Sequence, residues 1–81
     1  MVTRYKTPKK ATINEYLVDE KNAGRVAVFN LDIPGIVAEG DKLDWVELEF
    51  LYEELRKNGN YELVICRRFE PTVKIFERLP A

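Results

Sequence analysis

The alternation of hydrophobic and polar residues near the start of this 81-residue chain predicts a β-hairpin. Residues 12–19, TINEYLVD, alternate imperfectly and indicate a first strand. A turn is expected over 20–24, where Gly24 can adopt the positive φ that other residues avoid. The run RVAVFN over 25–30 is rich in Val and Phe and predicts the returning strand.

Three further strands are expected later in the chain. Pro34-Gly35 interrupts strand structure, because Pro has no N–H to give to a sheet. A short strand is expected to follow over 36–39. Near the end of the chain, residues 61–69 and 72–79 are rich in Val, Ile, Phe and Tyr and predict two more strands.

Residues 41–58 predict the only helix. Asp41 can cap its first turn, and Asp44 lies three residues later, where a capping box uses an acidic residue. The predicted element order is therefore β-β-β-α-β-β. This order is typical of an α+β fold in which one amphipathic helix packs on an antiparallel or mixed sheet.

The predicted helix carries two apolar stripes. The first has the spacing of a core-facing stripe and is expected to cover the sheet: Leu48, Leu51, Tyr52 and Leu55. The second lies on a different side: Leu43, Val46 and Phe50. Trp45, at the edge of the first stripe, is a core residue or an interface anchor.

A lone helix needs only one apolar stripe to cover a sheet. The second stripe is therefore either covered by another segment of this chain or used as an interface. The covering segment would be the N-terminal residues or the final strand. Under the interface hypothesis, a partner protein or a second subunit is contacted by Leu43, Trp45, Val46 and Phe50.

The composition is that of a globular domain with a highly charged surface, with 46% apolar and 33% charged residues. No apolar run approaches the roughly 18 residues of a membrane span. Residues 1–10 also lack the apolar core of a signal peptide. We therefore expect a cytoplasmic protein without membrane contact. Abundant Lys and Glu without Gln are typical of thermophilic proteins, although five Asn residues weaken that indication.

The chain lacks several residue types that enzymes commonly use. It has no His and no Ser, which excludes a serine triad and a Cys–His pair. The single Cys66 cannot complete a zinc site or an internal disulfide, and is expected to be a small buried residue. Asp41, Asp44 and Glu47 are spaced three apart and do not converge on one ion. We expect a non-enzyme that needs no metal or cofactor.

The net charge of −1 conceals an uneven distribution. Residues 1–10 carry four basic side chains and no acidic one, so residues 11–81 hold 9 basic and 14 acidic side chains. We divide the chain into a basic N-terminal arm, 1–10, and a single α+β domain, 11–81. The arm is either a solvated terminus or a contact for phosphates or an acidic partner.

A second basic group lies near the end of the chain and includes an Arg67-Arg68 pair. These arginines either hold phosphates or pair with acidic residues across strands. The alternative function is thus a small nucleic-acid-binding accessory protein of viral or plasmid type. Its binding surface would consist of Arg4, Lys6, Lys9, Lys10, Arg67, Arg68 and Arg78.

Residues 26–55 contain a D-x-P-G segment, then an E-G-D turn, then the amphipathic helix. The residues that carry this pattern are Asp32, Pro34, Gly35, Glu39, Gly40, Asp41 and Leu43. Together with the hairpin predicted before it, the pattern resembles the HicB family of antitoxins over residues 12–58. The same pattern also has a local physical meaning, since Pro34-Gly35 bends the chain and Asp41 caps the helix.

The resemblance implies a partial ribonuclease-H-like β-β-β-α-β domain that is not a nuclease. Proteins of that family bind and neutralise a small HicA-type toxin, which is an mRNA interferase, and usually self-associate. The leading prediction is therefore a non-enzymatic protein-interaction module. We expect it to form a homodimer and to bind a small toxin-like ribonuclease, with nucleic acid as the alternative partner.

Overall fold

Five antiparallel strands form one sheet in the order β1-β3-β2-β4-β5. The computed structural model describes residues 1–66 and the backbone of 76–78. The strands are β1 (Thr3–Lys10), β2 (Arg25–Asn30), β3 (Gly35–Asp41), β4 (Tyr61–Cys66) and β5 (Phe76–Arg78). The helices are α1 (Ile13–Val18) and α2 (Trp45–Leu55), with 3-10 turns at Glu20–Asn22 and Lys42–Asp44. The predicted α+β class is confirmed.

The middle of the chain folds as predicted. Strands expected over 25–30 and 36–39 are β2 and β3, and the helix expected over 41–58 contains α2 and the 3-10 turn before it. Gly24 has the expected positive φ, +80°. Of the two C-terminal strands, 61–66 and 76–78 are strands, while the remaining predicted positions, 67–69, 72–75 and 79, lie outside the described residues.

The prediction of a strand over residues 12–19 is wrong, because this segment is the helix α1. Thr12 starts the helix with a capping box, in which the Thr12 hydroxyl accepts from the Glu15 N–H (3.1 Å). The Glu15 carboxylate accepts from the Thr12 N–H in return (2.8 Å). No hairpin with β2 is possible, since β3 and β4 occupy both edges of β2.

Residues 3–10, predicted as part of a basic arm, form β1 and pair with β3 at the edge of the sheet. The pairing shifts register between Arg4 and Lys9. Tyr5 packs on one face of the sheet and Val2 on the other. The observed element order is therefore β-α-β-β-α-β-β, with a strand in place of most of the basic arm and a helix in place of the first predicted strand.

The sheet separates two hydrophobic cores, because neighbouring residues of a strand face opposite sides. The core on the α2 side consists of Val26, Val28, Ala38, Leu48, Tyr52, Leu63 and Ile65. The core on the α1 side consists of Tyr16, Ala27, Phe29, Ile36, Val64 and Cys66. Each helix thus covers one face, and α2 is the longer one. None of the helices in the described part of the chain is long and apolar enough to span a bilayer.

Candidate functional site

The inner side of α2 packs against the sheet. Leu48 and Tyr52 are buried in the α2-side core, and Leu51 and Leu55 pack against it while partly buried. The first apolar stripe therefore faces the sheet as predicted. Trp45 also packs against this core and is half-buried, so the structure places it apart from the second stripe.

The second apolar stripe lies exposed on the outer side of α2. Leu43 is 95% exposed, Val46 62% and Phe50 71%. We call these three residues the α2 outer stripe. Of the segments that were candidates to cover it, Thr3–Lys10 pairs with β3 and the described part of the final strand pairs with β4. The stripe is an apolar surface that the described residues leave uncovered.

The start of the stripe is held by hydrogen bonds to Asp44. Its Oδ2 accepts from the Asp41 N–H at 2.9 Å, the contact expected from the predicted capping pattern. The same oxygen lies 2.9 Å from the Met1 ammonium. The hydrogen bond from Met1, followed by that from Asp41, lowers the pKa of Asp44. These contacts fix the turn from which Leu43 projects into solvent.

Four glutamates border the α2 outer stripe, and we call them the acidic fringe: Glu47, Glu49, Glu53 and Glu54. At 100° per residue, two of them lie on each side of the Val46–Phe50 line. Glu53 pairs with Arg56 (Oε1 to Nε, 2.9 Å) and Glu54 with Lys57 (Oε1 to Nζ, 3.4 Å).

Glu47 and Glu49 differ from the other two members of the fringe, because they have no ion pair among the described residues. Both side chains lie exposed in the first half of α2, beside Val46. An apolar row that ends in an aromatic residue and has unpaired negative charges at its margin suits binding to a basic, partly apolar surface.

The basic residues of the alternative site do not come together. Arg4, Lys6 and Lys10 are exposed on β1 and make no ion pair within the described ranges. Lys9 lies 3.9 Å from Glu39 (Nζ to Oε2). Arg67 and Arg68 lie outside the described residues. Arg78 is on β5, at the other edge of the sheet, about 19 Å away at 4.8 Å per strand.

A buried ionic network on the α1 side of the sheet was missed by the sequence analysis. Glu39 is buried and accepts a hydrogen bond from the Tyr5 hydroxyl. The Arg25 guanidinium lies 3.5 Å from Glu39 (Nη2 to Oε1) and 3.3 Å from Asp41 (Nη1 to Oδ1). The available signal was a glutamate inside the apolar strand GIVAEGD. These contacts join β1, β2 and β3.

Two other titratable groups are buried near this network. Burial raises the pKa of the Tyr16 phenol, whose hydroxyl has no hydrogen-bond partner within the part of the chain that the structure describes. Cys66 is buried, as predicted, with Sγ 4.0 Å from the Leu17 carbonyl oxygen. Burial raises the pKa of its thiol, which keeps it neutral. Among residues 1–66, no group of acidic and Cys side chains is arranged to hold a metal.

The D-x-P-G segment forms the tip of the hairpin between β2 and β3. Asn30 Oδ1 accepts from the N–H groups of Asp32 (2.9 Å) and Ile33 (3.2 Å). Asp32 Oδ1 in turn accepts from Asn60 Nδ2 at 2.9 Å. These bonds give the motif a structural role in a turn.

Comparison with known proteins adds no family to these observations. No protein-family model matches the chain, and no curated protein or solved structure is similar to it. The resemblance to HicB antitoxins therefore stays a prediction from the sequence motif.

Proposed function

We propose that this chain is a non-enzymatic protein-interaction module and that the α2 outer stripe is its binding surface. The observation that supports this proposal most is the exposure of Leu43, in the turn before α2, and of Val46 and Phe50 on α2, whose inner side is already packed. Contiguous exposed apolar side chains rimmed by polar residues are typical of protein-binding sites. Phe50, at the centre of α2, is the aromatic anchor of this surface.

The acidic fringe favours a partner with a basic surface. Glu47 and Glu49 would each meet a Lys or Arg beside the apolar contact, and such complementarity gives specificity and fast association. A small ribonuclease has this chemistry, because it must hold the phosphates of RNA with basic residues. The partner we propose is therefore a small toxin-like ribonuclease, which is also what the resemblance to HicB antitoxins implies.

The proposal predicts that a small basic protein is encoded beside the gene for this chain, and the test is a calorimetric titration with that protein. We expect tight binding to the wild type and an affinity at least about 30-fold weaker for Phe50→Glu, the loss of one hot spot. Val18→Glu is the matched control, because Val18 is also an exposed apolar helix residue, 39% exposed, but lies on α1. It should bind as the wild type does.

Two results would contradict this proposal. One is a neighbouring gene product that does not bind the wild-type chain. The other is binding that Phe50→Glu leaves unchanged, which would place the contact away from α2. Circular dichroism of each variant confirms that a lost affinity is not a lost fold.

Exposed basic residues on β1 favour nucleic acid as a second candidate partner. Arg4, Lys6 and Lys10 have no ion pair in the described ranges and lie along one edge strand. Binding to a labelled single-stranded RNA should then weaken steeply with salt and be lost in the triple alanine variant of these residues. Lys21→Ala/Lys42→Ala, which removes basic residues elsewhere, should bind normally. Absence of binding at low salt would eliminate this candidate.

A further inference from the structure

A second exposed apolar patch lies beside the tip of the β2–β3 hairpin. It is a groove of about 380 Å³. We call it the hairpin groove, and it is lined by Pro8, Lys10, Ala11, Thr12, Glu15, Ile33 and Pro34. Ile33 is 69% exposed. The absence of a side chain at Gly35 allows Pro8 to lie close to β3, since a Cβ there would be 2.8 Å from the Pro8 Cβ.

The hairpin groove adjoins the basic residues of β1. Lys10 lines the groove, and Lys6 and Arg4 follow on the same strand. The lining also holds one acidic residue, Glu15, whose carboxylate accepts from the Thr12 N–H in the capping box of α1. Lys10 and Glu15 balance each other in charge, so the excess positive charge on this side comes from Lys6 and Arg4 along β1. An apolar floor beside this basic strand complements the α2 outer stripe and its acidic fringe.

Charge disfavours a face-to-face contact between two α2 outer stripes. In such a two-fold contact each residue meets the same surface on the other molecule. The unpaired Glu47 and Glu49 of one copy would then lie against the acidic fringe of the other. Like charges brought together in this way oppose association.

We propose that the hairpin groove of one molecule binds the α2 outer stripe of a second copy. Phe50 enters the groove, whose volume of about 380 Å³ lies in the range of small-ligand pockets and is ample for one aromatic ring. Glu47 and Glu49 of the copy that supplies Phe50 then lie toward the basic residues of β1 in the copy that supplies the groove. The contact is heterologous, so association proceeds head to tail and ends in a ring or continues as a chain.

This inference rests on the proposed role of the α2 outer stripe, because the second copy and the basic partner use the same surface. The two occupants therefore exclude each other. A bound partner would release the α2 outer stripe from the neighbouring copy and break the assembly into partner-bound single chains.

Sedimentation of two complementary variants tests the head-to-tail contact. Phe50→Glu disrupts the α2 outer stripe and leaves the hairpin groove intact. Ile33→Glu disrupts the hairpin groove and leaves the α2 outer stripe intact. The wild type should associate with rising concentration, less so in high salt, and each variant alone should be monomeric. An equimolar mixture of the two should form a one-to-one dimer and nothing larger, because one intact contact remains.

Matched controls use exposed apolar residues outside both surfaces. Leu31→Glu alters the same hairpin turn at a position that does not line the groove, and Val18→Glu alters α1. Both should associate as the wild type does. Circular dichroism shows that each variant is folded.

Three results would overturn the head-to-tail contact. They are a wild type that stays monomeric up to about 1 mM, a mixture of the two variants that stays monomeric, and an Ile33→Glu variant that still dimerises. The last result would indicate a two-fold contact through α2. Calorimetry with Ile33→Glu separates the two proposals, since this variant keeps the α2 outer stripe and should still bind the basic partner. If the head-to-tail contact fails these tests but the basic partner still binds, the proposed function is unaffected.

Discussion

Glu39 shows how single residues hold the edge strand to the sheet. A buried carboxylate is costly unless charged or hydrogen-bonding groups surround it. Here the Tyr5 hydroxyl, the Arg25 guanidinium and the Lys9 ammonium all approach it. Tyr5 comes from β1, so this contact joins the basic strand to the centre of the fold.

Tyr5→Phe should lower the free energy of unfolding by about 1.5–3 kcal/mol, because it removes a hydrogen bond to a charged group that stays buried. Urea denaturation measures the change. Tyr61→Phe is the control, since Tyr61 is half-buried and its hydroxyl makes no hydrogen bond within the described residues. Equal free energies of unfolding for Tyr5→Phe and the wild type would show that the buried Glu39 carboxylate does not need the hydrogen bond from Tyr5.

Alkaline pH should destabilise the protein through three buried or hydrogen-bonded groups. The hydrogen bond to Glu39 raises the pKa of Tyr5, and burial raises the pKa of Tyr16 and Cys66. The folded state then keeps protons that the unfolded chain releases above about pH 9 for the thiol and about pH 10 for the phenols. The contribution of these three groups to the free energy of unfolding is therefore complete at lower pH. It is lost as the pH rises from the pKa values of the unfolded chain through those of the folded state.

Urea denaturation at intervals from about pH 8 to about pH 11 checks this expectation. The free energy of unfolding should decline across the upper half of that range. A flat profile would mean that these three groups titrate alike in the folded and unfolded chains.

At the scale of elements, α2 has two apolar sides with different roles. The inner stripe stabilises the fold, while the outer stripe touches solvent. The spacing of apolar residues predicted both stripes, because helical periodicity is a local property. Whether the outer stripe would be covered by another segment of the chain was not predictable, because it depended on contacts between distant segments.

Leu48→Ala and Val46→Ala should separate these two roles. Leu48→Ala should lower the free energy of unfolding by about 2–5 kcal/mol, since it leaves a cavity in the α2-side core. Val46→Ala should change it by less than about 0.5 kcal/mol, since Val46 is largely exposed. Thermal or urea denaturation of the two variants measures both changes in the free energy of unfolding. A large loss for Val46→Ala would mean that the outer stripe is part of the fold.

The segment over 12–19 shows why one element was predicted wrongly. The sequence Thr12-Ile-Asn-Glu15 is a capping box, a local signal for a helix start that outweighs the imperfect alternation after it. The β1 strand was not predicted because its five basic or proline positions are unfavourable in a central strand. They are suited to a sheet edge, where Lys and Pro are common.

At the scale of the whole molecule, the sheet order separates the charged surfaces. β1 and β5 lie at opposite edges, which keeps Arg4 and Lys6 away from Arg78. This separation was not predictable from the sequence, because strand order is set by pairing between distant segments. The exposed α2 outer stripe was predictable as a pattern, and the acidic fringe around it is the feature from which we infer a basic partner.

The proposed binding surface can be mapped by methyl NMR of the chain during addition of the small basic protein that we expect to be encoded beside it. We expect the methyl signals of Leu43 and Val46 to shift and saturate together, while those of the buried Leu48 and Leu63 stay in place. Shifts confined to the signals of Val18 and Leu31, with those of Leu43 and Val46 unmoved, would contradict binding at the α2 outer stripe.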